Sequence, residues 1–289
     1  MSVMSNLKKQ VPVSVIFPTR RGIERIITTI KELKKCIPQP DEYIILVDGG
    51  DLEVCEKIAI EYPDIQVLKS DRILGPGGAR NVLVEACKNE WIANFDDDSF
   101  PVHEDYFERV DQYTQSFQDC SILSATNLGE IGEIKIKRIA VASGCGCVFK
   151  KSDFIEVGGF VSMEVSYNME EVDIGLRLFA AGKKIMWFEN LVVKHDRLPA
   201  SDVSAELNAE ILANGGVLVF LRYPVWLWWI GVIQILSRIY YLFKMGWTQG
   251  VGKGIIRIFT KSYQYRSHRK VLPTKVIWNW IYWRRKHGN

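Results

Sequence analysis

Beyond Glu210 the sequence has no acidic residue. The last 79 positions hold none of the 34 Asp+Glu, but 13 of the 37 Lys+Arg and seven of the nine Trp. An evenly charged surface is thereby excluded for that region, while the first 210 residues combine all 34 acids with 24 bases. Cysteine is sparse and scattered: Cys36, Cys55, Cys87, Cys120, Cys145 and Cys147 include no pair at zinc spacing. Cys145 and Cys147, one residue apart in SGCGCVF, read as small buried hydrophobes without chemistry. The start, MSVMSNLKKQV, lacks the apolar core of a signal peptide, so a cytoplasmic location is expected. No G-x-G-x-x-G follows the first strand-like run, which argues against a dinucleotide fold. With 47% hydrophobic residues in 289, disorder is excluded as the main theme.

What is present divides the chain in two. A polar, helix-like stretch runs into Asn214-Gly215-Gly216, and a strongly apolar one follows, so we expect a catalytic unit over 1–214 and a basic, Trp-rich helical region over 215–289. In the first unit, VPVSVIF, EYIILV, DIQVLKS and EWIANF alternate with helical patterns such as RIITTIKELKKC and GARNVLVEACKN. Continuous apolar runs suit strands covered on both faces, and the alternation predicts an α/β fold, a doubly wound, mostly parallel sheet flanked by helices. Ligands bind such sheets at the carboxyl ends of strands. Pro18, Thr19 and Arg20, then Asp48, then Asp96 to Asp98 all fall there.

Three adjacent carboxylates raise one another's pKa unless a positive group compensates. WIANFDDDSFP is therefore understandable as a cation site, or more simply as a solvated acidic turn before Pro101. Extended geometry puts Asp96 and Asp98 on one face and Asp97 on the other. Oxygen ligands of this kind suit Mg²⁺ or Mn²⁺ with phosphate oxygens completing the shell. GPGGARN places Gly75, Gly77 and Gly78 before a helix, a loop whose amides can approach an anion, with Arg80 adding charge.

The ordered set VSVIFPTR, LVDGG, GPGGARN, FDDDSFP, SGCGCVFKKSDFIEVGGF, EEVDIGLRL and VVKHD resembles the family-2 type of inverting nucleotide-sugar glycosyltransferases over residues 11 to 198. The resemblance implies a GT-A fold and a metal, Mn²⁺ or Mg²⁺. It also implies a nucleotide-sugar donor, a UDP- or dTDP-sugar, and a glycan or lipid-linked acceptor in cell-surface polysaccharide synthesis. On its motifs, Asp98 would ligate the metal, His195 would stand beside it, and Asp96 would touch the donor's ribose or sugar. Asp48 would read the nucleobase in a pocket lined by Pro18 and Thr19, with Arg20, Gly77, Arg80 and Asp97 also on the donor side. Gly158 and Gly159 would shape the floor under the acceptor. The family's acidic pair falls on Glu170 and Glu171, making Glu171 the candidate base; acids at a helix start can equally serve the helix dipole. The family usually has Asp where Glu171 stands, so either the acceptor is set back by a methylene or Glu170 takes the role.

The tail has its own pattern. VWLWWIGVIQILSRIYYLF, residues 225 to 243, is borderline for a membrane span. Gln234, Arg238 and Tyr241 form a narrow polar stripe, suiting a helix at a surface or packed on the catalytic unit. VIWNWIYWRRKHG joins interfacial Trp to cations. The expectation is peripheral attachment to an anionic membrane surface at the inner face; a helical subdomain closing the sheet edge or a homodimer contact is the alternative. No nucleic-acid motif accompanies the charge. Two other functional classes remain. A sugar nucleotidyltransferase would need a glycine-rich basic loop after the first strand, and a non-catalytic carbohydrate- or membrane-binding homologue would lose the carboxylates.

Overall fold

Strand β1, Gln10–Thr19, sets the plan. A computed structural model describes residues 10–20, 22–127, 135–166, 169–195 and 204–287. Val13, Val15 and Phe17 point to one side of β1 and pack with Ile26, Ile30 and Leu33 of α1, Ile23–Leu33. Ile16 points to the other side, against Ile44, Leu46 and Leu83. Burial of both faces explains why the sequence reads as an unbroken apolar run. Next come β2, Gln39–Asp48, then α2, Leu52–Glu61, and β3, Gln66–Ser70. Helix α3, Gly75–Ala86, then carries the chain back past β1 to β4, Trp91–Asn94. All four strands are parallel, in the order β3-β2-β1-β4. The reversal beside β1 opens a crevice at the carboxyl ends of β1 and β4.

The sheet continues with mixed direction. The elements are β5, Ser99–Pro101; α4, Tyr106–Ser116; β6, Cys120–Asn127; β7, Ile136–Ile139; and β8, Cys147–Lys150. They are followed by α5, Lys151–Glu156, α6, Glu170–Ala180, and β9, Lys184–His195. The full order is β3-β2-β1-β4-β8-β6-β9-β5, with β7 on β9. Strand β8 is antiparallel to both β4 and β6, so the segment entering it arrives at the edge where β1 and β4 end. Gly146 makes that entry: at φ +68 it gives its N–H to the Asn94 carbonyl (2.7 Å), and Val193 fills the space a side chain would need.

The acid-free region is helical. Helix α7, Ala205–Arg222, starts on Ser204, whose hydroxyl accepts from the Leu207 amide (3.1 Å). It runs unbroken through Asn214-Gly215-Gly216, where the sequence predicted a helix end. Gly216 is there for close packing: a Cβ would lie 2.6 Å from Ile258. Helices α8, Trp228–Lys244, α9, Val251–Gln264, and α10, Thr274–His287, follow. The region is tied to α6 by charge and by packing. Asp173 is fully buried and accepts from Arg177 (2.9 Å) on one side and Arg222 on the other. Ile277 and Trp280 of α10 pack with Ala140 and Leu176. Helix α8 touches the body through Ile230, Gly231 and Leu242, while Trp229, Val232, Ile233, Leu236, Tyr240 and Phe243 are exposed. The face turned to solvent is thus largely apolar, with Gln234 and Ser237 exposed on it as well.

Candidate active site

Asp96, Asp97 and Asp98 leave β4 at the crevice in a tight turn. The Asp96 amide donates to Ser99 Oγ (2.7 Å), and the Ser99 amide donates to the Asp96 carbonyl (3.1 Å). The turn splays the trio. Asp97 folds back, accepting from Thr19 Oγ1 at 2.7 Å, and burial pushes its carboxyl up to about 6. Asp96 and Asp98 turn the other way, to His195. Register explains the meeting: β5 begins one residue after the trio and pairs antiparallel with β9, placing Ser99 opposite His195. His195 Nε2 lies 3.1 Å from Asp98 Oδ1 and 3.5 Å from Asp96 Oδ2. Its Nδ1 lies 3.3 Å from Cys145 Sγ. The hydrogen bond to Asp98, then that to Cys145, pushes the imidazole up to about 10.

This cluster fits a divalent metal. Ligand atoms of Asp96, Cys145 and His195 all lie within 4.8 Å of one another, with Asp98 in contact with the same imidazole. The carboxylate oxygens suit Mn²⁺ or Mg²⁺, and the imidazole and the Cys145 thiol are softer donors beside them. Cys145 and Cys147 are both buried in the core, as expected for small hydrophobes. The thiol of Cys145 also touches His195, a contact that no spacing in the sequence signals because it depends on the end of β9 arriving beside it.

Helix α3 builds the second half of the site. The buried Asp48 carboxylate accepts from the Leu74 amide (2.8 Å) and the Gly75 amide (3.0 Å), fixing the start of α3 from the end of β2. The glycines expected as a loop before the helix are therefore its first turn, and Arg80 sits in the second. A Cβ on Gly77 would lie 2.5 Å from Glu170 Oε1, so glycine leaves room for that carboxylate. Arg80, 6% exposed, uses all three nitrogens: Nε donates to Asn94 Oδ1 (2.8 Å), Nη1 to Glu170 Oε2 (3.2 Å) and Nη2 to Asp96. It joins the strand-end acids to those of α6.

Glu170 and Glu171 differ in their surroundings. Glu170 is buried against Arg80 and also accepts from Ser166. Burial pushes it from its ordinary 4.5 up to about 7, even though Arg80 pulls the other way. A raised carboxyl binds its proton more tightly in the fold, so its contribution to stability is present below pH 4.5 and is lost as pH rises towards 7. Urea titrations of wild type and Glu170→Gln should accordingly show a wild-type disadvantage that grows across that window; a constant difference would mean an ordinary pKa. Glu171 is half-buried and fills the space beside Gly144 that a side chain would occupy. With Arg80, Asn94, Gly144 and Phe160 it lines a cavity.

The remaining predicted residues are placed as follows. Pro18 and Thr19 end β1, and Arg20 is exposed just beyond. Gly158 (φ +89) and Gly159 (φ +62) close α5 in left-handed conformation, and the Gly159 carbonyl accepts from Arg177 (2.6 Å). They shape a turn, while Phe154 and Phe160 on either side of it line the cavity. Asp196, the last residue of the VVKHD motif, lies outside the described residues.

A twisted sheet of this order, with carboxylates and an imidazole gathered where it switches direction, defines an α/β protein of the GT-A type. Residues 14–127 match the model of Glycosyl transferase family 2, and the resemblance carried by the motifs is thereby borne out. Pre-mycofactocin glycosyltransferase of two Mycobacterium tuberculosis strains is 24% identical over 210 residues, 64% of this chain. The chain spans 42% of the length of these curated relatives. The fold is similar to that of mannosyltransferase PcManGT from Pyrobaculum calidifontis, solved in complex with GDP-Man and Mn2+. The TM-score is 0.59, with 11% identity and 88% of each chain covered. It is also similar to GalNAc-T7, solved with UDP, GalNAc and Mn2+: TM-score 0.59, 13% identity, 74% of this chain and 48% of that one.

Proposed function

We propose that the protein is a metal-dependent inverting glycosyltransferase, moving a sugar from a UDP- or dTDP-sugar to a hydroxyl of a glycan or lipid-linked acceptor in cell-surface polysaccharide synthesis. One observation supports this reading above the others: the unbroken chain of contacts from Asp98 through His195, Asp96 and Arg80 to Glu170, which gathers acids, an imidazole and a cavity-lining carboxylate in one crevice. Solved complexes of similar fold hold a nucleotide or nucleotide sugar with Mn2+, which supports a divalent metal here.

Asp98, Asp96 and His195 would hold the metal, which when bound supplies Lewis-acid stabilisation of charge on the departing diphosphate. Pro18, Thr19 and Asp48 form the nucleobase side, since Asp48 has lone pairs beyond the two its amides use. Arg80, locked by three acceptors, keeps Asp96 in place and sets positive charge beside the diphosphate. Glu171 takes the proton of the acceptor hydroxyl, whose oxygen forms the new bond to the anomeric carbon as the bond to the diphosphate breaks. The test is nucleoside diphosphate release from a panel of UDP-, dTDP- and GDP-sugars with Mn²⁺ or Mg²⁺. Release of pyrophosphate would instead indicate a nucleotidyltransferase, and absence of metal-dependent nucleotide binding a non-catalytic homologue.

We place the protein in the cytoplasm, peripherally bound to the inner face of a membrane. The segment Val225–Lys244 is long and apolar enough to cross a membrane by length and composition. Yet α8 is held at both ends: Trp226 Nε1 donates to Thr274 Oγ1 (3.0 Å), and Asn208 Nδ2 donates to the carbonyl of Trp247 (3.2 Å), just beyond the helix. A helix tied along the body lies flat, its exposed apolar stripe entering the interface and the acid-free surroundings meeting anionic headgroups. Flotation with phosphatidylglycerol vesicles should recover wild type, and Ile233→Glu with Leu236→Glu should abolish recovery without loss of fold. Concentration-dependent dimers in place of flotation would assign the stripe to a second copy.

A further inference from the structure

A second cleft opens beside the Glu171 cavity, and nothing in the donor or metal machinery uses it. It is lined by Ser124 and Thr126 near the end of β6, Lys137 of β7, Trp187 of β9 and Arg284 of α10. Ala142 and Ser143 line both cavities, so the two are adjacent through one segment. Topology puts the cleft on the reacting edge. Strand β8 is antiparallel to β4 and to β6, so β6 runs in the direction of β4 and its end lies at the edge that bears Asp96. The Ser143 amide donates to Ser124 Oγ (2.9 Å), fixing the shared segment to β6. At roughly 440 Å³ the cleft is in the size range of small-ligand sites.

Its lining has a specific chemistry. Lys137 and Trp187 are cross-strand partners, with the ammonium 4.9 Å from the indole centroid. The second cation, Arg284, comes from the acid-free region and is partly buried where α10 meets the sheet edge. Among the described lining residues none is Asp or Glu. An aromatic surface beside two cations and small hydroxyl-bearing side chains matches a sugar ring esterified to phosphate: the indole takes the ring's C–H face, and the ammonium and guanidinium take the phosphate oxygens.

We propose that this cleft is the acceptor subsite, and that the acceptor is a sugar bearing a phosphate or diphosphate, presented to Glu171 past Ser143. The inference rests on the transferase reading. It assigns the acid-free tail a second task, because α10 brings Arg284 to the site while α8 meets the membrane.

The test is equilibrium binding to the full chain presaturated with UDP and Mn²⁺, so that the donor side is filled. The ligands are glucose 1-phosphate, glucose linked through diphosphate to an octyl chain, and uncharged octyl glucoside. Both phosphorylated ligands should bind at least tenfold tighter than octyl glucoside. Lys137→Glu, an exposed change that leaves the core intact, should remove roughly that factor, and Arg284→Gln should do the same while UDP and Mn²⁺ binding stay unchanged. Equal binding of the two phosphorylated ligands supports a soluble sugar phosphate, and preference for the octyl diphosphate supports a lipid-linked one. Binding no tighter than octyl glucoside, or unaffected by Lys137→Glu, overturns the assignment. Failure of the transferase reading would appear separately, as loss of metal-dependent UDP binding by the wild type itself.

Discussion

Asp98→Ala should lower metal-dependent nucleoside diphosphate release by at least about 100-fold, equivalent to roughly 2.7 kcal/mol of barrier. Stabilisation of the leaving diphosphate by a bound metal is worth several kcal/mol, so the loss of one of its carboxylate ligands is sufficient for an effect of this size. The fold should survive, because Asp98 is half-buried and its contacts are His195 and, at 3.6 Å, the exposed Arg25. The comparison to make is Mn²⁺ titration by electron paramagnetic resonance alongside thermal melting. Weakened Mn²⁺ binding with an unchanged melt supports the ligand role. Activity within tenfold of wild type would assign the metal elsewhere.

Glu171→Gln should cost about 10²- to 10⁴-fold in turnover, the usual range for a positioned base, with little change in donor binding. Glutamine keeps the shape of the side chain, so its fit beside Gly144 is preserved and only the basic oxygen is lost. The neighbouring Glu170→Gln should act differently. Glu170 holds Arg80, so its loss should weaken donor binding by disordering the arginine that braces Asp96. Single-turnover rates and donor affinities measured for both variants separate the roles; equal turnover losses with unchanged affinity would make the two acids interchangeable. The Glu171 carboxylate occupies the space above Gly144, which a Cβ there would contest. Gly144→Ala should therefore displace the carboxylate and lower turnover, by less than Glu171→Gln.

Much of the site was legible because strand ends are legible. A β-branched run followed by Pro18 and Thr19, an apolar run followed by Asp48, and another followed by three aspartates announce their places in a parallel sheet without reference to anything distant. Extended geometry would also oppose Asp97 to its two neighbours, but the strand ends at Asn94 and a turn, not a strand, sends Asp97 to Thr19 and Asp98 to His195. Other features could not be read locally. The glycines of GPGGARN look like a loop, but the carboxylate of Asp48, 27 residues away, captures the amides of Leu74 and Gly75 and starts the helix early. Asn214-Gly215-Gly216 looks like a helix end, yet the packing of Ile258 against Gly216 keeps α7 continuous to Arg222.

By itself, then, the sequence determined the alternation of strands and helices, the acidic strand end and the absence of negative charge after Glu210, because each depends on neighbours within a few residues of one another. Only the tertiary structure decided that Cys145 touches His195, that Arg80 is held by Asn94, Asp96 and Glu170, and that Arg284 reaches a cleft beside Ser143. Those contacts join residues 14 to more than 100 positions apart, and their geometry is set by the antiparallel turn of β8 and the register of β9. A periodic pattern specifies which face of an element is buried; it holds no information about which distant element will cover it.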